Sequence, residues 1–321
     1  KLLINLDNEE EGELLVSCAG GVRTNSAVKI EWQDKTNKND VAINISGLKG
    51  GHSGMDIIKE RGNSNKILGR ILKALSEEVE FNIVKINGGS KNNAIPREAE
   101  AIISVDASNV NKVTTIVNDL TAVFTNELKS QDPELKISVN NSTVNETKEF
   151  NKATTEKVIN LLYLYPNGVN TRSTEIDGLV ESSTNLGVLS TGEDYVEFDS
   201  AVRSSVPSLK KEIELRIKTI TEILGAEFSS KSDYPGWEYD PNSKMREICQ
   251  KVYKDMTGKE AKIVAIHAGV ECGLFNEKLG NLDMISFGPN LYDVHTPQEH
   301  MSITSVKNTW DYLLKVLAEI K

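Results

Sequence analysis

An α/β fold is predicted for this chain: one sheet to which both ends contribute, interrupted by an inserted α+β domain made of two ferredoxin-like halves. Three features carry the prediction. The first and last segments hold short apolar runs typical of strands buried on both faces, namely Leu2 to Leu6, AKIVAIHAG (261–269) and LDMISFGP (282–289). From about residue 26 to YPGWEYDPNS (234–243) the texture turns amphipathic. Within that stretch a strand–helix–strand–strand–helix pattern occurs twice, which fits antiparallel sheets with helices on one face.

Taken in order, Leu2 to Leu6 opens the terminal sheet. Asp7 falls at its carboxyl end, the edge where open α/β sheets place ligands. Gly12 turns the chain into ELLVSCAGG (13–21), which runs into a glycine break. VKIEW (28–32) and VAINISG (41–47) are strand-like. After GGHSG (50–54), Ile67, Leu68, Ile71, Leu72 and Leu75 recur at helical spacing. FNIVKINGG (81–89) and EAEAIISVDA (98–107) read as a strand pair, followed by a helix through Val113, Ile116, Val117, Leu120, Val123 and Phe124, and by ELKISVNNSTV (134–144) as a strand. The pattern then repeats. A helix through Val158, Leu161, Leu162 and Tyr165 is stopped by Pro166, and GLVESSTNLGVLS (178–190) and YVEFDSAVRSS (195–205) pair as strands. Pro207 opens the next helix, with Leu209, Ile213, Ile217, Ile220 and Leu224 on one face and Gly225 beyond it. The α/β texture returns with a helix through Met245, Ile248, Cys249, Val252, Tyr253 and Met256, closed by Gly258. A last helix aligns Ile303, Val306, Trp310, Leu313, Leu317 and Ile320. These readings divide the chain into 1–24 and 235–321, forming one domain, and 25–234, forming the insertion, whose halves cover about 25–145 and 146–234.

Composition narrows the function classes. Lys and Arg number 37 against 47 Asp and Glu, a net charge of −10, and no basic patch stands out, which argues against a nucleic-acid partner. No apolar run approaches the ~18 residues of a membrane span. Cys18, Cys249 and Cys272 are scattered with no C-x-x-C pair, which fits a reducing cytoplasm better than a disulfide framework. Histidine chemistry within this chain must come from His52, His267, His295 and His300.

Five short stretches hold residue types that do chemistry, and each has a plainer reading. In DVHTPQE (293–299), His295 stands in a loop after a buried strand with Pro297 stiffening the backbone, the setting of a zinc ligand or of a surface loop histidine. His300 has no such context. In GLKGGHSGMD (47–56), glycines flank His52 and allow close backbone approach to a ligand; such an imidazole can donate to an oxyanion or a carboxylate, or the segment is a glycine turn capped by Ser53 or Asp56. Asn93, in INGGSKNNAIPREAEA (86–101), suits a substrate carboxylate or carbonyl, or an ordinary hairpin. In AIHAGVECGLF (265–275), His267 leaves a strand and Glu271 follows four residues on, so the two read as a binding group with its orienter, or as a structural pair. In FDSAVRSSVPS (198–208), Arg203 offers the planar fork that matches a terminal carboxylate, or is a strand arginine facing water.

Together, Asp7, CAGG, GLKGGHSG, NNAIPRE, VRSS, HAGVECGLF and HTPQE stand in an order that resembles the aminoacyl-histidine dipeptidases, also called Xaa-His dipeptidases or cytosolic carnosinase-like enzymes, within the co-catalytic di-zinc metallopeptidases. The likeness runs the whole length of the chain. It implies a catalytic domain interrupted by a lid domain, two Zn2+ ions, a short peptide as substrate, a homodimer formed through the lid, and a cytoplasmic location. Asp7 then matches a carboxylate ligand of one zinc and His295 the histidine ligand of the other. His52 matches the lid histidine that polarises the scissile carbonyl. Asn93, Arg203 and His267 match groups that bind the substrate's backbone and carboxylate, with Glu271 carried over beside them. A related tripeptidase, an N-acyl amino acid hydrolase, or a non-catalytic lid-bearing binding protein are the alternatives.

The chain departs from that family in one respect. The upstream H-x-D segment, the bridging aspartate and the Glu-Glu pair of the relatives have no counterpart in it. It is therefore expected to be the C-terminal two-thirds of such an enzyme, with an incomplete catalytic domain, and to be inactive alone.

Overall fold

The structure is a computed structural model. It describes residues 1–37, 39–142, 146–280 and 282–320. The chain begins with strands β1 (Leu2–Asn5), β2 (Glu13–Cys18), β3 (Gly20–Lys29) and β4 (Asn39–Ser46), then helix α1 (Ser64–Ser76). Next come β5 (Phe81–Gly88), β6 (Ala99–Val105), α2 (Val110–Glu127) and β7 (Lys136–Asn141). After α3 (Lys152–Leu164) follow β8 (Gly168–Arg172), β9 (Val180–Thr191), β10 (Tyr195–Ser204), α4 (Pro207–Ile223) and β11 (Glu227–Tyr234). The last elements are α5 (Lys244–Thr257), β12 (Lys262–Ile266), α6 (Glu271–Leu279), β13 (Asp283–Ser286) and α7 (Ile303–Glu319).

Both chain ends build a four-stranded sheet in the order β1-β13-β2-β12. β1 runs parallel to β13, and β12 runs parallel to β2. β13 and β2 meet antiparallel at Ser286 and Leu15. Helices α5 and α7 close over Leu14, Val16, Ile285 and Phe287, and α6 packs with Leu15, Cys18 and Met284. Two expectations fail here. β1 lies at the sheet's edge, so Leu2 and Leu6 are exposed instead of buried on both faces. On α7 the buried side chains are Ser305, Tyr312 and Val316; of the predicted stripe only Leu313 and Ile320 pack against the core, while Ile303, Val306, Trp310 and Leu317 face outward. Helical spacing defines a stripe but does not say which stripe is covered.

The insertion is one nine-stranded antiparallel sheet, ordered β7-β4-β6-β5-β9-β10-β3-β11, with β8 added on β9. Two βαββαβ units compose it. β4-α1-β5-β6-α2-β7 is one; β3-α3-β9-β10-α4-β11 is the other, with the same strand order in mirror sequence along the sheet. They join where Leu189 pairs with Gly88, and Thr191 Oγ1 accepts from the Ile86 amide (2.9 Å) and donates to its carbonyl (2.7 Å). One apolar core runs under all four helices, through Leu68 and Leu72 of α1, Val117 and Phe124 of α2, Leu161 of α3 and Ile217 of α4. Each such side chain contributes about 1.5–3 kcal/mol of burial free energy.

The halves are nested, not tandem. The second unit takes its first strand, β3, from Gly20–Lys29, so the whole first unit is inserted between β3 and α3. The division read at residues 24 and 25 cuts through β3, and the one read at Asn145 falls outside the described residues. Period-two patterning identifies a strand but not its neighbours.

Candidate active site

Four of the seven singled-out residues gather where the inserted sheet meets the terminal domain. His52 lies on a short strand, Gly51–His52, paired antiparallel with Ala94–Ile95. Its Nδ1 accepts from the amides of Gly54 (3.3 Å) and Met55 (3.1 Å), so the neutral ring carries its proton on Nε2. Its own amide donates to Asp56 Oδ2 at 2.8 Å. Gly54 lies against the terminal domain: a Cβ there would stand 2.3 Å from the His267 carbonyl oxygen, so a side chain would push the His52 loop away. The Asn93 side chain is exposed, and its carbonyl accepts from the Ser53 amide at 3.0 Å. The Asn93 backbone therefore helps fasten the His52 loop, with its side chain at the surface.

His267, just beyond β12, is 6% exposed. Its Nε2 lies 2.7 Å from Ser183 Oγ on β9. Burial foremost, then the nearby Arg203 charge, lowers its pKa to about 3. The same two causes lower that of His52. Both rings are thus held neutral.

Arg203, on β10 directly opposite Ser183, is 9% exposed. Nη1 donates to the Tyr234 hydroxyl at 2.9 Å, while the buried Nε has no partner among the described residues. The alternative of a strand arginine facing water does not hold. A buried guanidinium without a carboxylate is costly, and an unfilled Nε edge is the half of the fork that a carboxylate takes.

The remaining three residues stand at the other group. Asp7 is exposed in the loop after β1, and its amide donates to Asn5 Oδ1 at 3.0 Å. Buried Asn5 donates Nδ2 to Glu271 Oε1 at 2.6 Å and accepts from Ser286 Oγ at 2.6 Å. Glu271, first residue of α6, therefore answers to Asn5 and not to His267, and the expected binding-group-and-orienter pair is corrected. His295 follows β13, the parallel neighbour of β1, so both loops leave the same edge. They run side by side: Phe287 donates to the Asn5 carbonyl (3.1 Å), Leu291 to the Glu9 carbonyl (2.9 Å), and the Glu11 amide to Asn290 Oδ1 (2.7 Å). His295 is exposed with φ of 63°, a left-handed conformation unusual for a side-chain-bearing residue, and its amide is held by Glu299 Oε2 at 2.9 Å. The 267–271 turn carries one residue of each group.

Asp7, His295 and Glu271 have the oxygen and nitrogen donors that divalent metals take. Among the described residues, however, no group of three or more His, Cys, Asp or Glu side chains is arranged to hold a metal ion. The donors present do not make a metal centre by themselves.

Sequence reasoning missed Ser183, Tyr234 and Asn5. Asn5 left a trace, a polar residue inside the apolar run before Asp7. The other two act through partners far along the chain and leave no local mark.

Residues 43–132 match a family described as a peptidase dimerisation domain. The chain is 36% identical over 320 residues to the cytosol non-specific dipeptidase of Escherichia coli K12, an alignment covering 99% of this chain and 66% of that protein. It superposes on the crystal structure of an aminoacylhistidine dipeptidase from Vibrio alginolyticus with a TM-score of 0.96 at 35% identity, covering all of this chain and 65% of that one. The chain thus spans just under two-thirds of the length of either relative.

Proposed function

We propose that the chain, similar along its length to dipeptidases and carrying a peptidase dimerisation domain, serves metal-dependent hydrolysis of dipeptides with a free C-terminal carboxylate, Xaa-His dipeptides of the β-alanyl-histidine type foremost. The single observation that carries this reading is Arg203, a buried cation whose Nε has no partner among the described residues, near two neutral imidazoles. The substrate carboxylate fills the Nε edge, which restricts the site to short peptides ending there. His52, with its proton on Nε2, donates to the scissile carbonyl and to the negative charge that grows on it. Its lowered pKa keeps it a neutral donor that needs no proton taken up first. Neutral His267 adds no second positive charge and ties the inserted domain to the terminal one through Ser183.

In this reading two zinc ions supply the Lewis acidity, with Asp7 and His295 each giving one ligand. Catalytic zinc takes about three protein ligands, and no such group is assembled among the described residues, so this chain alone is expected to be inactive. The inserted domain mediates a homodimer, in keeping with the dimerisation-domain match. Buried free thiols at Cys18, Cys249 and Cys272 fit the cytoplasm. No helix of the described residues is long and apolar enough to cross a membrane.

A panel of β-alanyl-histidine, other Xaa-His dipeptides, tripeptides and N-acyl amino acids, given to the protein expressed from its complete gene, tests the assignment. Dipeptide hydrolysis abolished by chelation is expected. Preference for tripeptides or N-acyl amino acids would move the protein to a sister activity, and no hydrolysis at all would favour a non-catalytic binding role.

A further inference from the structure

We infer that Tyr234 is the positioning residue for C-terminal carboxylate recognition: it holds the Arg203 guanidinium by Nη1 so that the Nε edge is presented to the substrate. This deepens the function proposed above and rests on it. Four features of the fold converge on this phenol.

The first is a cross-strand row. Arg203 on β10 pairs with Gly21 on β3, and Gly21 pairs with Tyr234 on β11, so the three lie abreast on adjacent strands. Between the two side chains stands a glycine. Its hydrogen lets the Tyr234 ring lie across β3 to meet the guanidinium; a Cβ on Gly21 would stand 2.6 Å from the hydroxyl. The second is a bulge. From Lys231 to Tyr234 the chain advances three residues, whereas their partners, Arg23 to Gly21, are two apart, so β11 carries one extra residue there. Ser232, with φ of 55°, lies within that step. One extra residue reverses the side-chain alternation of the strand, and here it turns Tyr234 toward Arg203.

The third feature covers the ring. A Cβ at Gly269, in the turn after His267, would stand 2.7 Å from Tyr234 Cε2, so the terminal domain closes on the ring at a second glycine. The fourth pins the backbone. Lys210 of α4 donates to the Tyr234 carbonyl at 2.9 Å and forms an ion pair with Asp233. A tyrosine needed only to fill space requires none of this alignment. Its hydroxyl accepts the Nη1 proton at 2.9 Å, and that bond fixes the plane in which Nε points.

The test compares β-alanyl-histidine with its C-terminal amide as substrates of the complete-gene protein, in the parent form and as Tyr234→Phe and Gly21→Ala. The parent is expected to favour the acid. In Tyr234→Phe that preference falls roughly tenfold, through KM for the acid. Gly21→Ala, which displaces the same hydroxyl by another route, is expected to show the same loss. If the parent prefers the acid and both variants keep the full preference, or lose rate equally on acid and amide, the inference is overturned. If the parent itself does not distinguish acid from amide, it is the carboxylate-binding reading of Arg203 that fails.

Discussion

Ser183 Oγ and His267 Nε2 lie 2.7 Å apart across the seam between the inserted and terminal domains. Both side chains are buried. The contact ties a strand of one sheet to the end of a strand of the other. Ser183→Ala leaves Nε2 of a buried imidazole without its partner. A loss of about 1–3 kcal/mol in unfolding free energy is expected by urea titration at pH 7, and an unchanged midpoint would refute the role.

His267 also sets a pH dependence. Its folded pKa of about 3 lies below the ordinary 6.5. Between these values the unfolded chain binds the proton and the folded chain does not. Stability therefore rises with pH across that window and is lost on acidification, by up to about 1.4 kcal/mol per pH unit. Denaturant titrations at pH 7, 5 and 4 should show a shallower loss in His267→Gln than in the parent protein.

Arg203 lowers the pKa of both neighbouring imidazoles. Arg203→Met should raise the titration midpoint of His52, followed by its ring proton resonances, and should weaken dipeptide binding by about 10²-fold or more. Arg203→Lys keeps the charge but not the fork, so it should restore the low His52 midpoint while recovering little affinity.

Lys66 is a cap without a carboxylate. Its Nζ donates to the carbonyls of Leu162 (2.6 Å), Tyr163 (2.9 Å) and Tyr165 (2.6 Å) at the carboxyl end of α3, and burial lowers its pKa to about 8. Lys66→Met removes three donors from the end of that helix. A cost of about 1–3 kcal/mol, with faster amide exchange in the last turn of α3, is expected.

Much of this architecture could be read from the chain. The α1 stripe from Ile67 to Leu75 is buried as spaced, and the shared terminal sheet follows from the apolar runs at both ends. What escaped is partnership. GGVRTNSAVK, read as a glycine break ahead of VKIEW, is strand β3, and its neighbours β10 and β11 lie some two hundred residues on. The stripe on α7 is regular, yet only Leu313 and Ile320 of it meet the core, because Tyr312 and Val316 mark the buried face. At the site, His52, His267 and Arg203 were legible because histidine beside glycine and arginine on a strand are chemically conspicuous. Ser183 and Tyr234 are ordinary strand residues whose importance comes only from what folding sets opposite them. Glu271 was legible as chemistry and misread as to partner, because a four-residue spacing says nothing about Asn5.

The most direct measurement is a crystal structure of the protein with β-alanyl-histidine bound. The account predicts the peptide's carboxylate within about 3 Å of Arg203 Nε, with the His52 ring facing the peptide carbonyl. A peptide seated elsewhere, with the Nε edge of Arg203 still unfilled, would contradict it.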